Sequence, residues 1–67
     1  MDIRKKLGKN VRKLLNDQNL SPERFAYEHQ ISKGYIYDVV NGEANVTLTM
    51  LEKLAQGLKV KPEDLIS

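Results

Sequence analysis

The chain has 67 residues, with no cysteine and a single histidine, His29, which limits it to one small domain (1–67) and excludes disulfides, thiolate metal sites and a histidine-built zinc centre. A chain this short buries a modest fraction of its surface, so its stability is small or shared with a second subunit. Its formal net charge of +2 is unevenly placed: residues 1–13 hold Arg4, Lys5, Lys6, Lys9, Arg12 and Lys13 against Asp2 alone, net +5, whereas the rest holds five basic and eight acidic residues, net −3.

The first predicted helix runs from about Ile3 to Asp17. Ile3, Leu7, Val11, Leu14 and Leu15 recur at three- and four-residue steps and form one apolar stripe. Asp2 caps it, and Gly8 is an interior weakness of about 1 kcal/mol relative to alanine. The second helix, about 22–29, starts at Ser21 with Pro22 in the first helical position. The serine oxygen accepts an orphan N–H there, and proline has none to satisfy. Phe25, Ala26 and His29 share its inner face, and Tyr27 points outward. The third helix, about 33–40, follows the cap Ser32. It turns Tyr35, Ile36, Val39 and Val40 inward and stops at Asn41-Gly42, where glycine can take a left-handed conformation. The fourth, about 48–58, follows the cap Thr47 and carries Leu48, Leu51, Leu54, Ala55 and Leu58 inward. A short fifth helix, about 62–66, begins at Pro62 and packs Leu65 and Ile66 back. No run alternates over strand length, so the predicted fold is all-α, a compact five-helix domain.

The link between the second and third helices is only about three residues. A short helix, a tight turn and another short helix is the helix-turn-helix unit, although any small bundle can contain one. The basic first helix suits a polyanion, or is simply a solvated face. There is no paired nucleophile and base, no phosphate loop and no metal-ligand set, so neither an enzyme nor a cofactor is expected. "MDIRKKLGKN" holds no apolar stretch of secretory length and no segment approaches a membrane span, so the cytoplasm is the expected compartment.

Four stretches are similar to the Cro/C1-type (XRE-like) helix-turn-helix family of phage repressors and bacterial regulators. They are "VRKL" (Val11 to Leu14), "NLSPERFA" (Asn19 to Ala26), "QISKGYIY" (Gln30 to Tyr37) and "GEANVTLTMLEKLAQGLKVKPEDLI" (Gly42 to Ile66). The resemblance spans about Leu7 to Ile66. The sequence departs from the family pattern in four ways. Pro22 stands where a DNA-contacting glutamine usually opens helix 2. Gln30 stands where the turn usually has glycine, in a backbone that tends to need positive φ. Leu15 and Val40 replace a partly buried arginine–glutamate pair, and Lys59 replaces a capping glycine. Losing both charges together is coherent, because removing one alone would strand a buried charge.

The resemblance implies sequence-specific binding of double-stranded DNA by a small transcriptional regulator acting through operator occupancy. The alternative is a protein-interaction module of the same fold, such as an antitoxin-like partner binder. Helix 3 would enter the major groove with Lys33, Gly34, Tyr37 and Asp38 toward base edges. Ser21, Tyr35, Asn41, Gly42, Asn45, Arg12 and Lys9 would meet the DNA backbone. His29 is expected to pack rather than to act chemically. A homodimer on a two-fold operator is expected, through Val46, Met50, Leu65 and Ile66.

Overall fold

The computed structural model describes residues 2–67, and its helices are α1 (Ile3–Asp17), α2 (Pro22–Glu28), α3 (Lys33–Val40) and α4 (Leu48–Leu58). The expected fifth helix is instead a single 3-10 turn, Pro62–Leu65. Four residues cannot sustain an α-helical ladder, and i→i+3 bonds close the segment: Asp64 N–H donates to Lys61 O and Ile66 N–H to Glu63 O. The described residues are otherwise all-helical, with no strand.

Each helix starts where its capping chemistry lies. Asp2 accepts from Arg4 N–H at 3.0 Å, Ser21 from Arg24 N–H at 3.0 Å, Ser32 from Tyr35 N–H at 3.1 Å and Thr47 from Met50 N–H at 3.0 Å. Each cap satisfies a donor that has no partner within its own helix.

The helix ends share one device. The N–H of Leu20 donates to Leu15 O, that of Ile31 to Ala26 O, that of Glu43 to Asp38 O and that of Val60 to Ala55 O. Each bond spans five residues, and the residue just before each donor has positive φ: Asn19 (57°), Gln30 (58°), Gly42 (77°) and Lys59 (63°). This is the Schellman ending. It turns the chain sharply and returns an apolar residue to the core after α1, α2 and α4. Only one of the four left-handed positions is a glycine, so Gln30 and Lys59 hold a conformation that costs L-residues energy.

The core is continuous. Val11, Leu15, Phe25, Ile36, Val39, Leu54, Leu58 and Leu65 are almost wholly shielded from solvent, and burying each such side chain contributes roughly 1.5–3 kcal/mol before chain entropy is counted. Both α1 and α2 pack on α3, and α4 packs on the 3-10 turn. His29 tilts against the Phe25 ring with centroids 4.5 Å apart. Asn10 Nδ2 donates to Leu65 O at 2.8 Å and Gln18 Nε2 to Leu58 O at 2.9 Å, so α1 also fastens the C-terminal third.

Gly8 is not the weak point that its helix propensity implies. A Cβ there would lie 2.5 Å from Val39 O and 3.0 Å from Val40 O. The missing side chain lets α1 lie directly on the last turn of α3. Leu15 and Val40 are both buried in the core cluster, with no charge at either position. Two residues read as inward from periodicity are on the surface: Ile3 is 55% and Leu48 81% exposed.

Two stability outcomes follow from these arrangements. Gln30→Gly and Lys59→Gly should each stabilise the fold by about 0.5–1 kcal/mol in urea denaturation, because a left-handed penalty of ~1–2 kcal/mol is removed and part of it returns as unfolded-chain entropy. An unchanged midpoint would mean that neither backbone is strained. Leu15→Arg should cost about 3–5 kcal/mol by burying an unpaired charge, and adding Val40→Glu should recover most of the loss. Additive losses in the double variant would show that the two positions do not interact.

Candidate nucleic-acid interface

The face of α3 opposite its buried Ile36, Val39 and Val40 carries Lys33, Gly34, Tyr37 and Asp38. Lys33, Gly34 and Asp38 are exposed and Tyr37 is half-buried. Beyond its chain neighbours and the backbone of α3 itself, nothing comes within 4 Å of where a Gly34 Cβ would sit, so the helix surface there is open to close approach. Asp38 pairs with no cation among the described residues.

Two side chains of this face converge on α2. Tyr37 Oη donates to Glu23 Oε1 at 2.9 Å, and Lys33 Nζ lies 3.2 Å from Glu23 Oε2. The Tyr37 bond first, and Lys33 second, hold the Glu23 carboxyl below its usual range; the same carboxylate pushes the Tyr37 phenol up. At the start of α2 a glutamate is a favourable charge on helix-dipole grounds alone. Its pairing could not be read from spacing along one helix, because the partners lie on another.

A second group forms where α1 meets the end of α3. Arg12 Nη2 donates to Val40 O at 3.4 Å and to Asn41 Oδ1 at 3.3 Å. Both bonds are long, and Arg12 remains exposed. Gly42 is buried, and its N–H already donates to Val39 O at 3.1 Å. That bond stops α3 and engages the one donor that Gly42, expected at the DNA backbone, could offer a phosphate. Ser21, Lys9 and Asn45 are exposed, and the Ser21 hydroxyl caps α2. Tyr35 is half-buried against the core, and burial pushes its phenol up. Lys5, Lys6, Lys9 and Arg12 have no carboxylate partner among the described residues, so the basic side of α1 keeps its charge.

Of the residues expected at a dimer contact, Val46, Met50 and Ile66 are half-buried, but Leu65 is fully buried and offers no surface, a correction to that set. Leu65 is drawn in because the 3-10 turn packs against both α1 and α4. Sequence patterning missed Ile3 and Leu48, which line an apolar groove with Val46, Leu51 and Ile66, with Asn45 beside them. No described helix is long and apolar enough to cross a membrane, and no cluster of potential metal ligands occurs among the described residues.

The Helix-turn-helix family model matches residues 11–65. Control protein C.BamHI of Bacillus amyloliquefaciens is 38% identical over 66 residues, covering 97% of this chain and 82% of that protein. Control protein C.SmaI of Serratia marcescens is 39% identical over 67 residues, covering 100% of this chain and 80% of that protein. The crystal structure of the restriction-modification controller protein C.AhdI from Aeromonas hydrophila superposes with a TM-score of 0.85 at 32% identity, over 92% of this chain and 94% of that one. With the helix-turn-helix formed by α2 and α3 and a match of this extent, the chain belongs to the Cro/C1-type helix-turn-helix family.

Proposed function

We propose that this protein is a sequence-specific double-stranded-DNA-binding regulator of transcription that acts by occupying an operator, and that the operator controls a restriction–modification system. The observation that carries the reading is the outward face of α3, held on a packed helix beside the unpaired cations of α1. Its similarity to control proteins C.BamHI and C.SmaI supports the choice of regulated genes. No effector domain is needed, because a bound operator blocks or recruits polymerase by position alone. Such a protein works in the cytoplasm, where the DNA lies.

In this reading α3 enters the major groove. Lys33 donates to guanine O6 and N7, Asp38 accepts from cytosine N4, and Gly34 lets the backbone close on the base edges. Tyr37 reads a neighbouring base. Lys9, Arg12, Ser21, Tyr35, Asn41 and Asn45 meet phosphates and fix the register. One such domain reads only a few base pairs, so two copies act on a two-fold operator. The groove of Ile3, Val46, Leu48, Leu51 and Ile66, with Met50 nearby, is the dimer surface.

Lys9 and Arg12 amount to four phosphate-facing cations per dimer. Affinity for a selected operator should therefore fall about a hundredfold between about 50 and 200 mM salt. Selection from random duplex DNA should return a two-fold motif, and Lys33→Ala should weaken binding by about 10- to 100-fold and relax one base pair in each half-site. Failure to recover any motif at low salt would defeat the proposal. Leu48→Asp should leave a folded monomer in sedimentation equilibrium and lower operator affinity. A variant that remains dimeric would remove the groove as the contact.

A further inference from the structure

Helix α2 has proline in its first position, so Glu23 is its first side chain with a polar group to offer. That carboxylate divides its two oxygens between side chains one turn apart on α3, taking the Tyr37 hydroxyl proton on Oε1 and the Lys33 ammonium on Oε2. We infer that Glu23 is a specificity-determining positioning residue: it fixes Tyr37 as a hydrogen-bond acceptor toward DNA and withdraws Lys33 from indiscriminate contact with phosphates.

A phenol has one donor and two acceptor lone pairs. In this structure the single donor points at Glu23, so only acceptor capacity remains for a base. Asp38, the next residue on the same face, is likewise an acceptor when ionised. Two neighbouring acceptors suit the exocyclic amino groups of cytosine or adenine and reject the O6 and N7 acceptors of guanine. The selectivity thus arises from a residue that need not touch the base.

Lys33 gives the second half of the argument. A free lysine on a recognition helix binds any phosphate within reach, which raises affinity for every sequence alike. Paired with Glu23, Lys33 leaves its partner only for a site that offers a better one, such as guanine O6 and N7 in the correct register. The pair is exposed, with side-chain accessibilities of 69% for Lys33 and 53% for Glu23. Exposed pairs add little to stability. It is therefore weak enough to exchange on binding, and its removal should be read in discrimination rather than in folding.

This inference rests on the DNA-binding reading above. The test compares the wild type with Glu23→Ala and Glu23→Gln, on the duplex selected by the wild type and on a scrambled duplex, across a salt series. Glu23→Ala should bind the scrambled duplex several-fold more tightly and with a salt slope steeper by about one per protomer. The specific-to-scrambled ratio should drop about tenfold. Repeated selection should relax the base pair that faces Tyr37. In the same variant the Tyr37 ring, followed by NMR, should titrate closer to an ordinary phenol while the melting temperature stays put. Glu23→Gln, which keeps an acceptor for Tyr37 but not the charge, should show the salt effect with less relaxation at that base. Equal loss of affinity for both duplexes, or an unchanged ratio and slope, would overturn the assignment, as would an unmoved Tyr37 titration. If the wild type binds no duplex, the functional proposal falls and this one with it; the ring titration would then report only the contact between Glu23 and Tyr37.

Discussion

The geometry of the candidate interface depends on the absence of one side chain. At Gly8 the backbone of α1 lies against the Val39 and Val40 carbonyls at the end of α3, at a distance no Cβ permits. This approach has consequences at each side of the glycine. One turn later Arg12 reaches Val40 O and Asn41; one turn earlier the Lys5 backbone comes within 3.0 Å of where a Gly42 Cβ would be. The last carbonyls of a helix carry partial negative charge and have no partner within the helix. Arg12 supplies a cation there. Helix α3 is thereby clamped at its C-terminus by α1 and along its inner side by the core, and its polar side stays outward.

Short links make this arrangement possible in so few residues. All four α-helices end in the same left-handed turn, which redirects the chain within two residues of the helix end. Glycine at every one of these positions would relax the backbone, yet three are filled by Asn19, Gln30 and Lys59. Asparagine tolerates the conformation through local hydrogen bonding, whereas glutamine and lysine gain no such help. The apolar pair at Leu15 and Val40 acts in the opposite sense. It removes the desolvation cost of two buried charges and replaces it with burial. The fold therefore carries strain at its turns and is relieved of it in its core.

Much of this was legible in the residues. Helix starts were, because Asp2, Ser21, Ser32 and Thr47 are capping residues whose action is local. The inward faces of α2 and α3 were, because a short amphipathic helix has only one way to face a core. Ile3 and Leu48 were misread for a shared reason. Both sit in the first turn of their helices and continue the apolar stripe, but periodicity does not say where the neighbouring helix ends. Beyond that end an apolar residue faces solvent or a partner. Gly8 was misread because propensity counts the entropy of a glycine and not the distance to another helix. Leu65 was read both as packing back and as part of a dimer patch, and its full burial against α1 and α4 leaves only the first role. The positive φ of Asn19 had no family departure to flag it. Glu23 was visible only as a charge favouring a helix start.

The replacement of a glutamine by Pro22 looks at first like a loss of function on the DNA side, since the usual contact from the start of helix 2 is gone. The structure alters that judgement. Proline sets the first turn of α2 at no hydrogen-bonding cost, and the next residue, Glu23, reaches across the surface to α3 with its carboxylate. An amide at the helix start could serve as donor or acceptor. A carboxylate can only accept while ionised, and it must find cations or hydroxyls. Tyr37 and Lys33 are those partners. A negatively charged residue beside a phosphate backbone is unfavourable unless its charge is already matched, and Lys33 matches it at 3.2 Å. Asp38 has no such match, so its charge must be met by a base donor or it works against binding. On the proposed DNA-binding reading, the same electrostatic rule gives two exposed acidic residues opposite tasks: Glu23 of α2 orients Tyr37 and Lys33 of α3, and Asp38 discriminates among the sequences that α3 can accept.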